Sequence, residues 1–227
     1  MKNLIQLLDF FLPRFCQCCK SKLESHQLIA CETCLSKIKP AADERLKFEF
    51  EKKFRDAKVI SGFDSRYLFE KEGELQNLIH ALKYEGKFRI GLFLGRKLGE
   101  KIEARICDWK PDFIIPVPLH HLKKAERGFN QSYYLAKGMS RFLNIPVAQK
   151  YLKRIRFTET QTNLTLDERA DNMLGAFKVK KREMVKGKNI LIVDDVITTG
   201  ATVSECAKVL LENGASKVFA ASAAVAD

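Results

Sequence analysis

One run of residues restricts the fold of this chain more than any other: Asn189-Ile190-Leu191-Ile192-Val193-Asp194-Asp195-Val196-Ile197-Thr198-Thr199-Gly200-Ala201-Thr202. Its continuous apolar part reads as a strand covered on both faces, the habit of parallel sheets. The helical pattern at 203–213 then makes the unit strand, turn, helix. Ligands of open α/β sheets bind beyond the carboxyl ends of the strands, where Asp194 and Asp195 stand. The Thr198–Thr202 turn can aim backbone N–H groups and hydroxyls at an anion, at the positive end of the following helix. Carboxylates accept hydrogen bonds from sugar hydroxyls and the turn accepts a phosphate, so the combination suits a sugar phosphate. Neither G-x-x-x-x-G-K-[ST] nor G-x-G-x-x-G occurs, which excludes a P-loop and the dinucleotide fingerprint.

The rest of the chain alternates in the same way. Residues 59–69 are β-prone, 72–84 and 90–106 have helical periodicity, and 112–119 form a strand broken by Pro116 and Pro118. Residues 120–128 read as a basic loop. Asn130 is placed to cap a helix over 131–143. Short strands are expected at 152–157 and 177–179, a polar mobile stretch at 158–164, a helix at 166–174, and a last strand at 217–225. This order predicts an α/β fold: an open, mainly parallel twisted sheet with helices on both faces. Residues 1–13 read as a short amphipathic helix rather than a signal peptide. No segment approaches the ~20 apolar residues of a membrane span, so the expected location is cytoplasmic, with any contact to the inner face of the membrane made through partners.

Five of the 7 Cys lie between residues 16 and 34. Cys16/Cys19 and Cys31/Cys34 are two C-x-x-C pairs, able to supply four thiolates to a tetrahedral zinc ion. The surrounding segment is too small for its own apolar core, so metal would drive its folding. Cys18 is a surplus thiol that could replace Cys16 or Cys19. His26 is expected at the surface, and Cys107 and Cys206 in helices as small buried residues. The chain therefore divides into an N-terminal helix and zinc-binding element, 1–42, and an α/β domain, 43–227.

Net charge is +12, and residues 120–190 carry 16 basic against 6 acidic side chains. An anionic ligand accounts for part of this excess, and nucleic acid would account for more. His120 and His121 read as anion contacts or surface residues rather than proton carriers. Phe129, Tyr133 and Tyr134 read as core rather than base-stacking residues.

The run from Val193 to Thr202 resembles the phosphoribosyl pyrophosphate (PRPP) signature of type I phosphoribosyltransferases. With the four cysteines, Leu82-Lys83-Tyr84-Glu85-Gly86, Pro116-Val117-Pro118-Leu119-His120, Arg127-Gly128-Phe129-Asn130-Gln131, and Thr160-Gln161 with Arg169 and Asn172, the whole chain resembles the ComF-type family. That family joins a four-Cys zinc element to a phosphoribosyltransferase-like domain and is associated with natural competence for DNA uptake. The resemblance implies that Asp194 and Asp195 bind the ribose hydroxyls, directly or through Mg²⁺. It implies that Thr198, Thr199, Gly200 and Thr202 cradle the 5′-phosphate, with Val196, Ile197 and Ala201 also in the PRPP-binding segment. Pro118 and His120 would lie by the pyrophosphate, with Lys123, Lys124 or Arg127 supplying charge, and Arg127 joining the two acids in catalysis. Thr160 and Gln161 would belong to a flap closing on bound ligand. Two functions follow: Mg²⁺-dependent transfer of phosphoribose from PRPP to an acceptor, or a non-catalytic factor handling single-stranded DNA. A helicase-like or recombination protein of the uptake machinery is the expected protein partner.

Overall fold

The computed structural model describes residues 13–156 and 174–226. The expectations for the N-terminal helix, the polar stretch at 158–164 and the helix at 166–174 fall wholly or almost wholly outside those residues. Strands β1 (Gly62–Leu68), β2 (Phe113–Pro116), β5 (Asn189–Ile197) and β6 (Lys217–Val225) form one sheet in the order β1-β6-β5-β2. Every pairing in it is parallel. The register sets Ile190 beside Val218, Ile192 beside Ala220 and Asp194 beside Ser222. β5 and β6 occupy the centre, which explains their unbroken apolar runs. β2 ends at Pro116, which has no N–H for the ladder, and Val117 N–H then bonds the Val193 carbonyl at 2.9 Å.

Side-chain parity sends each strand's residues into two separate cores. Leu191, Val193, Phe219 and Ala221 face α3 (Glu74–Tyr84), α4 (Phe88–Trp109) and α6 (Gln131–Leu143). Ile190, Ile192, Val218 and Ala220 face α2 (Asp43–Phe54) and α8 (Ala201–Glu212). Helices therefore cover both faces, as expected.

α4 and α6 cross almost in backbone contact. Gly91, Gly95 and Gly99 recur every fourth residue along α4 and line one face. A Cβ at Gly95 would lie 2.0 Å from the Leu135 carbonyl oxygen, and one at Gly138 would lie 2.3 Å from that of Leu92. This close crossing brings the N-terminus of α6 to the end of β5.

Three local expectations need correction. Residues 120–128 are not a loop: His121–Arg127 forms helix α5, capped by His120 and closed by Gly128 at φ +77°. It buries no residue, so it lacks the apolar periodicity by which a helix is read from sequence. Strands β3 (Leu152–Arg154) and β4 (Phe177–Val179) do not join the main sheet but pair antiparallel with each other. Cys107 is exposed, whereas Cys206 is buried as expected. Among the described residues no helix is long and apolar enough to cross a membrane.

Candidate functional site

The turn after β5 is shaped by Gly200. Its φ of +82° is open to glycine, and a Cβ there would lie 2.8 Å from Phe54 Cε1 and 3.3 Å from the Lys53 carbonyl oxygen. The end of α2 is thus packed against the turn. Thr199 Oγ1 accepts the Ala201 N–H at 3.3 Å. Asp194 and residues 196–203 surround a niche of about 30 Å³ at the N-terminus of α8. The niche, with hydroxyls and the helix end beside it, is suited to a phosphate oxygen.

The two acids differ in their surroundings. Asp195 is 4% exposed and meets Lys83 Nζ at 2.6 Å. Burial opposes its charge, but the lysine outweighs burial and holds the carboxyl below its ordinary range. Asp194 accepts from Ser132 Oγ at 2.8 Å and from the Asp195 N–H at 2.9 Å. Burial, and then the adjacent Asp195 charge, push its carboxyl up to about 8. The surroundings thus favour the charge on Asp195 and oppose it on Asp194.

Cations crowd this pair. Arg127, at the end of α5, holds its guanidinium 5.2 Å from the centre of the Tyr84 ring, and its charge reaches Asp195. Its Nε is buried with no hydrogen-bond partner. Lys123 is pushed below its ordinary range by burial, and next by the charges of Arg154 and Arg127. Arg154, on β3, lies within electrostatic reach of Asp194. Lys83, Lys123, Arg127 and Arg154 thus outnumber the acids they surround, a balance that an incoming polyanion would relieve. His120 is buried, and its Nδ1 accepts the Leu122 N–H at 3.4 Å. Burial and then the adjacent His121 ring, 4.1 Å away between centroids, lower its pKa.

The 117–120 segment is fixed beside β5 by Asn130, whose Nδ2 donates to the Val117 carbonyl at 2.9 Å. Asn130 Oδ1 also accepts the Ser132 N–H at 3.0 Å, making it the expected cap of α6.

In the N-terminal segment, the sulfurs of Cys16, Cys19, Cys31 and Cys34 all lie within 4.8 Å of one another. Those of Cys19 and Cys31 are 3.7 Å apart. Four sulfurs about 2.3 Å from a tetrahedral zinc ion sit roughly 3.8 Å from each other, so the cluster fits that metal. Amide groups of Cys18 and Cys31 point at Cys16 Sγ at 3.4 Å, as they would toward a thiolate. Cys18 is the thiol left over: it turns away to the Glu74 carbonyl at 3.5 Å, and burial pushes it up to about 12. Cys16, Leu23, Ile29, Cys34 and Ile38 share one core with Leu75 and Leu78 of α3. His26 is exposed, beside Glu24 and Glu32.

The phosphoribosyl transferase domain matches residues 94–226. The chain belongs to that family. It is also 37% identical to Competence protein F of Haemophilus influenzae over 149 residues, 63% of this chain and 65% of that protein. It is 40% identical to DNA utilization protein YhgH of Escherichia coli K12 over 147 residues, 63% and 64% of the two chains. It is 30% identical to Competence protein ComFC of Bacillus subtilis over 105 residues, 44% and 39%. The chain thus spans less than two thirds of the length of these curated relatives. Their names bear out the expected ComF-type resemblance.

Of the residues singled out in sequence, the structure gathers Asp194, Asp195, Val196, Ile197, Thr198–Thr202, Pro118, His120, Lys123 and Arg127 around one end of the sheet. Thr160, Gln161, Arg169 and Asn172 lie outside the described residues. Lys83, Ser132 and Arg154 were not assigned to the site from sequence. Lys83 carried a signal, its place in the Leu82–Gly86 motif, whereas Ser132 and Arg154 reach the acids only through tertiary folding.

Proposed function

We propose that this protein binds PRPP and transfers its phosphoribosyl group, with Mg²⁺, to an acceptor. The supporting observation is the carboxylate pair at the end of β5, which adjoins the Gly200 turn and lies within reach of Lys83, Arg127 and Arg154, with Lys123 beside those cations. In this reading residues 198–202 hold the 5′-phosphate through amides and hydroxyls. Asp194 and Asp195 accept the ribose hydroxyls and orient the ring. Lys123, Arg127 and Arg154 take up the charge of the pyrophosphate. The C1–O bond breaks with its electron pair going to pyrophosphate, while the acceptor forms the new bond at C1. Fixed cations lower the barrier because charge gathers on the leaving group as that bond breaks. The hard carboxylate oxygens of Asp194 and Asp195 suit Mg²⁺, which when bound neutralises further charge on the leaving group. The four cysteines hold zinc as a structural ion.

Calorimetry tests the donor half. PRPP with Mg²⁺ should bind the wild type, and Asp194→Asn/Asp195→Asn should weaken binding at least tenfold. Unchanged affinity would remove the acids from the site.

The relatives' names favour a second, compatible role in DNA uptake, with single-stranded DNA on the basic surface. Lys153 and Lys178 stand directly opposite each other on the exposed side of the β3–β4 ribbon, with Lys180 next along it. Like charges directly opposed in a ribbon are unfavourable unless an anion lies between them. Single-strand affinity should therefore fall steeply with salt, and the slope should flatten in Lys153→Ser/Lys178→Ser. Equal slopes in wild type and variant would rule out this surface. A cytoplasmic location agrees with both roles.

A further inference from the structure

Lys83 lies outside the matched segment 94–226, yet it makes the shortest contact to the acidic pair, 2.6 Å to Asp195. Its side chain is 23% exposed and that of Asp195 6%, so the pair is poorly screened. A purely architectural reason for it is weak. α3 is already held by Leu75, Leu78, Ile79 and Leu82, all buried, and a buried ion pair is often no more stabilising than apolar residues in its place. Arg127 stands within electrostatic reach of both Lys83 and Asp195, so two cations face the acidic pair from this side. Lys83 therefore occupies the position against Asp195 where a second cation would be expected.

We infer that Lys83 is the resident counter-cation of the acidic pair: its ammonium holds Asp195 oriented for the ribose hydroxyls, and withholds that carboxylate from a free divalent cation until the ligand's pyrophosphate brings the metal in. The inference rests on the PRPP reading and adds a positioning residue to it. Before ligand arrives, the Lys83 ammonium occupies the Asp195 carboxylate at 2.6 Å, and its positive charge opposes the approach of a divalent cation. When PRPP enters, its own negative charge supplies the missing attraction. Lys83 is then free to shift toward the pyrophosphate, where Lys123 and Arg127 already stand.

The experiment compares wild type, Lys83→Met and Lys83→Arg in two titrations. Mn²⁺ without PRPP, followed by its electron paramagnetic signal, should bind Lys83→Met about tenfold more tightly than wild type. PRPP with Mg²⁺, followed by calorimetry, should bind Lys83→Met about tenfold more weakly. Lys83→Arg should stay near wild type in both. This crossing of two affinities is the signature, because a lysine that merely props α3 would lower both together. Parallel losses, or an unchanged Mn²⁺ affinity in Lys83→Met, would overturn the inference. If wild type binds no PRPP while Lys83→Met still gains Mn²⁺, the counter-cation stands and the PRPP reading falls. Should Lys83→Met fail to melt cooperatively, Lys83→Gln with the same two titrations replaces it.

Discussion

Gly95→Ala is expected to lower the melting temperature by about 10 °C or more, or to leave no cooperative transition. The added Cβ would sit 2.0 Å from the Leu135 carbonyl oxygen. That atom is backbone within α6, so relief requires moving the whole helix. Overpacking a core costs about 1–3 kcal/mol where side chains can adjust, and more where they cannot. In a domain of this size about 3 kcal/mol corresponds to roughly 10 °C. The opposing contact, Gly138 against the Leu92 carbonyl, allows no slide along the crossing that relieves one clash without the other. The functional effect should exceed the stability effect, because α6 presents Ser132 to Asp194 and Asn130 to the 117–120 segment. Thermal circular dichroism checks the result. A Gly95→Ala protein melting with the wild type would refute the described crossing.

Loss of the four-Cys metal should be nearly as severe, but confined at first to one end. Elemental analysis should find one zinc per chain, and Cys31→Ser/Cys34→Ser should lose it. Structural zinc in small modules contributes apparent free energies of ~10–16 kcal/mol, far above what the few buried apolar residues of this element supply. Hydrogen exchange should therefore show residues 13–38 losing protection on chelation, while the amides of β5 and β6 keep theirs. Cys18→Ser should retain the zinc, since that thiol is directed to the Glu74 carbonyl. A metal-free protein that keeps protection at 13–38, or a Cys18→Ser variant that loses zinc, would contradict the assignment.

Much of this architecture was legible before any coordinates. β5 and β6 stand in the sheet centre, where burial on both faces writes itself into sequence as unbroken apolar runs. The bounds of α6 followed from Asn130 and periodicity, and the zinc element from the spacing of two C-x-x-C pairs. What escaped was set by tertiary structure. α5 buries nothing, so no periodicity marks it. Cys107 lies five residues beyond Ile102, about 140° around the helix, on the side facing away from the core. Its apolar character suggested burial, whereas the Leu94, Leu98 and Ile102 row decides which side of α4 is inside. The β3–β4 ribbon joins segments on either side of residues 157–173, and short strands give no sign of their partner. Lys83 and Arg154 look like ordinary surface cations until the fold delivers them to the acids.

The segment that matches the family and the packed unit of this chain do not coincide. The matched segment opens at residue 94, inside α4, and so omits β1, α2 and α3. A fragment trimmed to that boundary would expose the unpaired flank of β6, eight of whose nine residues are buried in the intact protein. Such a naked apolar border invites intermolecular strand addition and precipitation. The same cut would strip Phe54 from beneath the Gly200 turn and Lys83 from beside Asp195. Residues 43–93 are therefore an integral wall of the phosphoribosyl transferase domain rather than a detachable accessory.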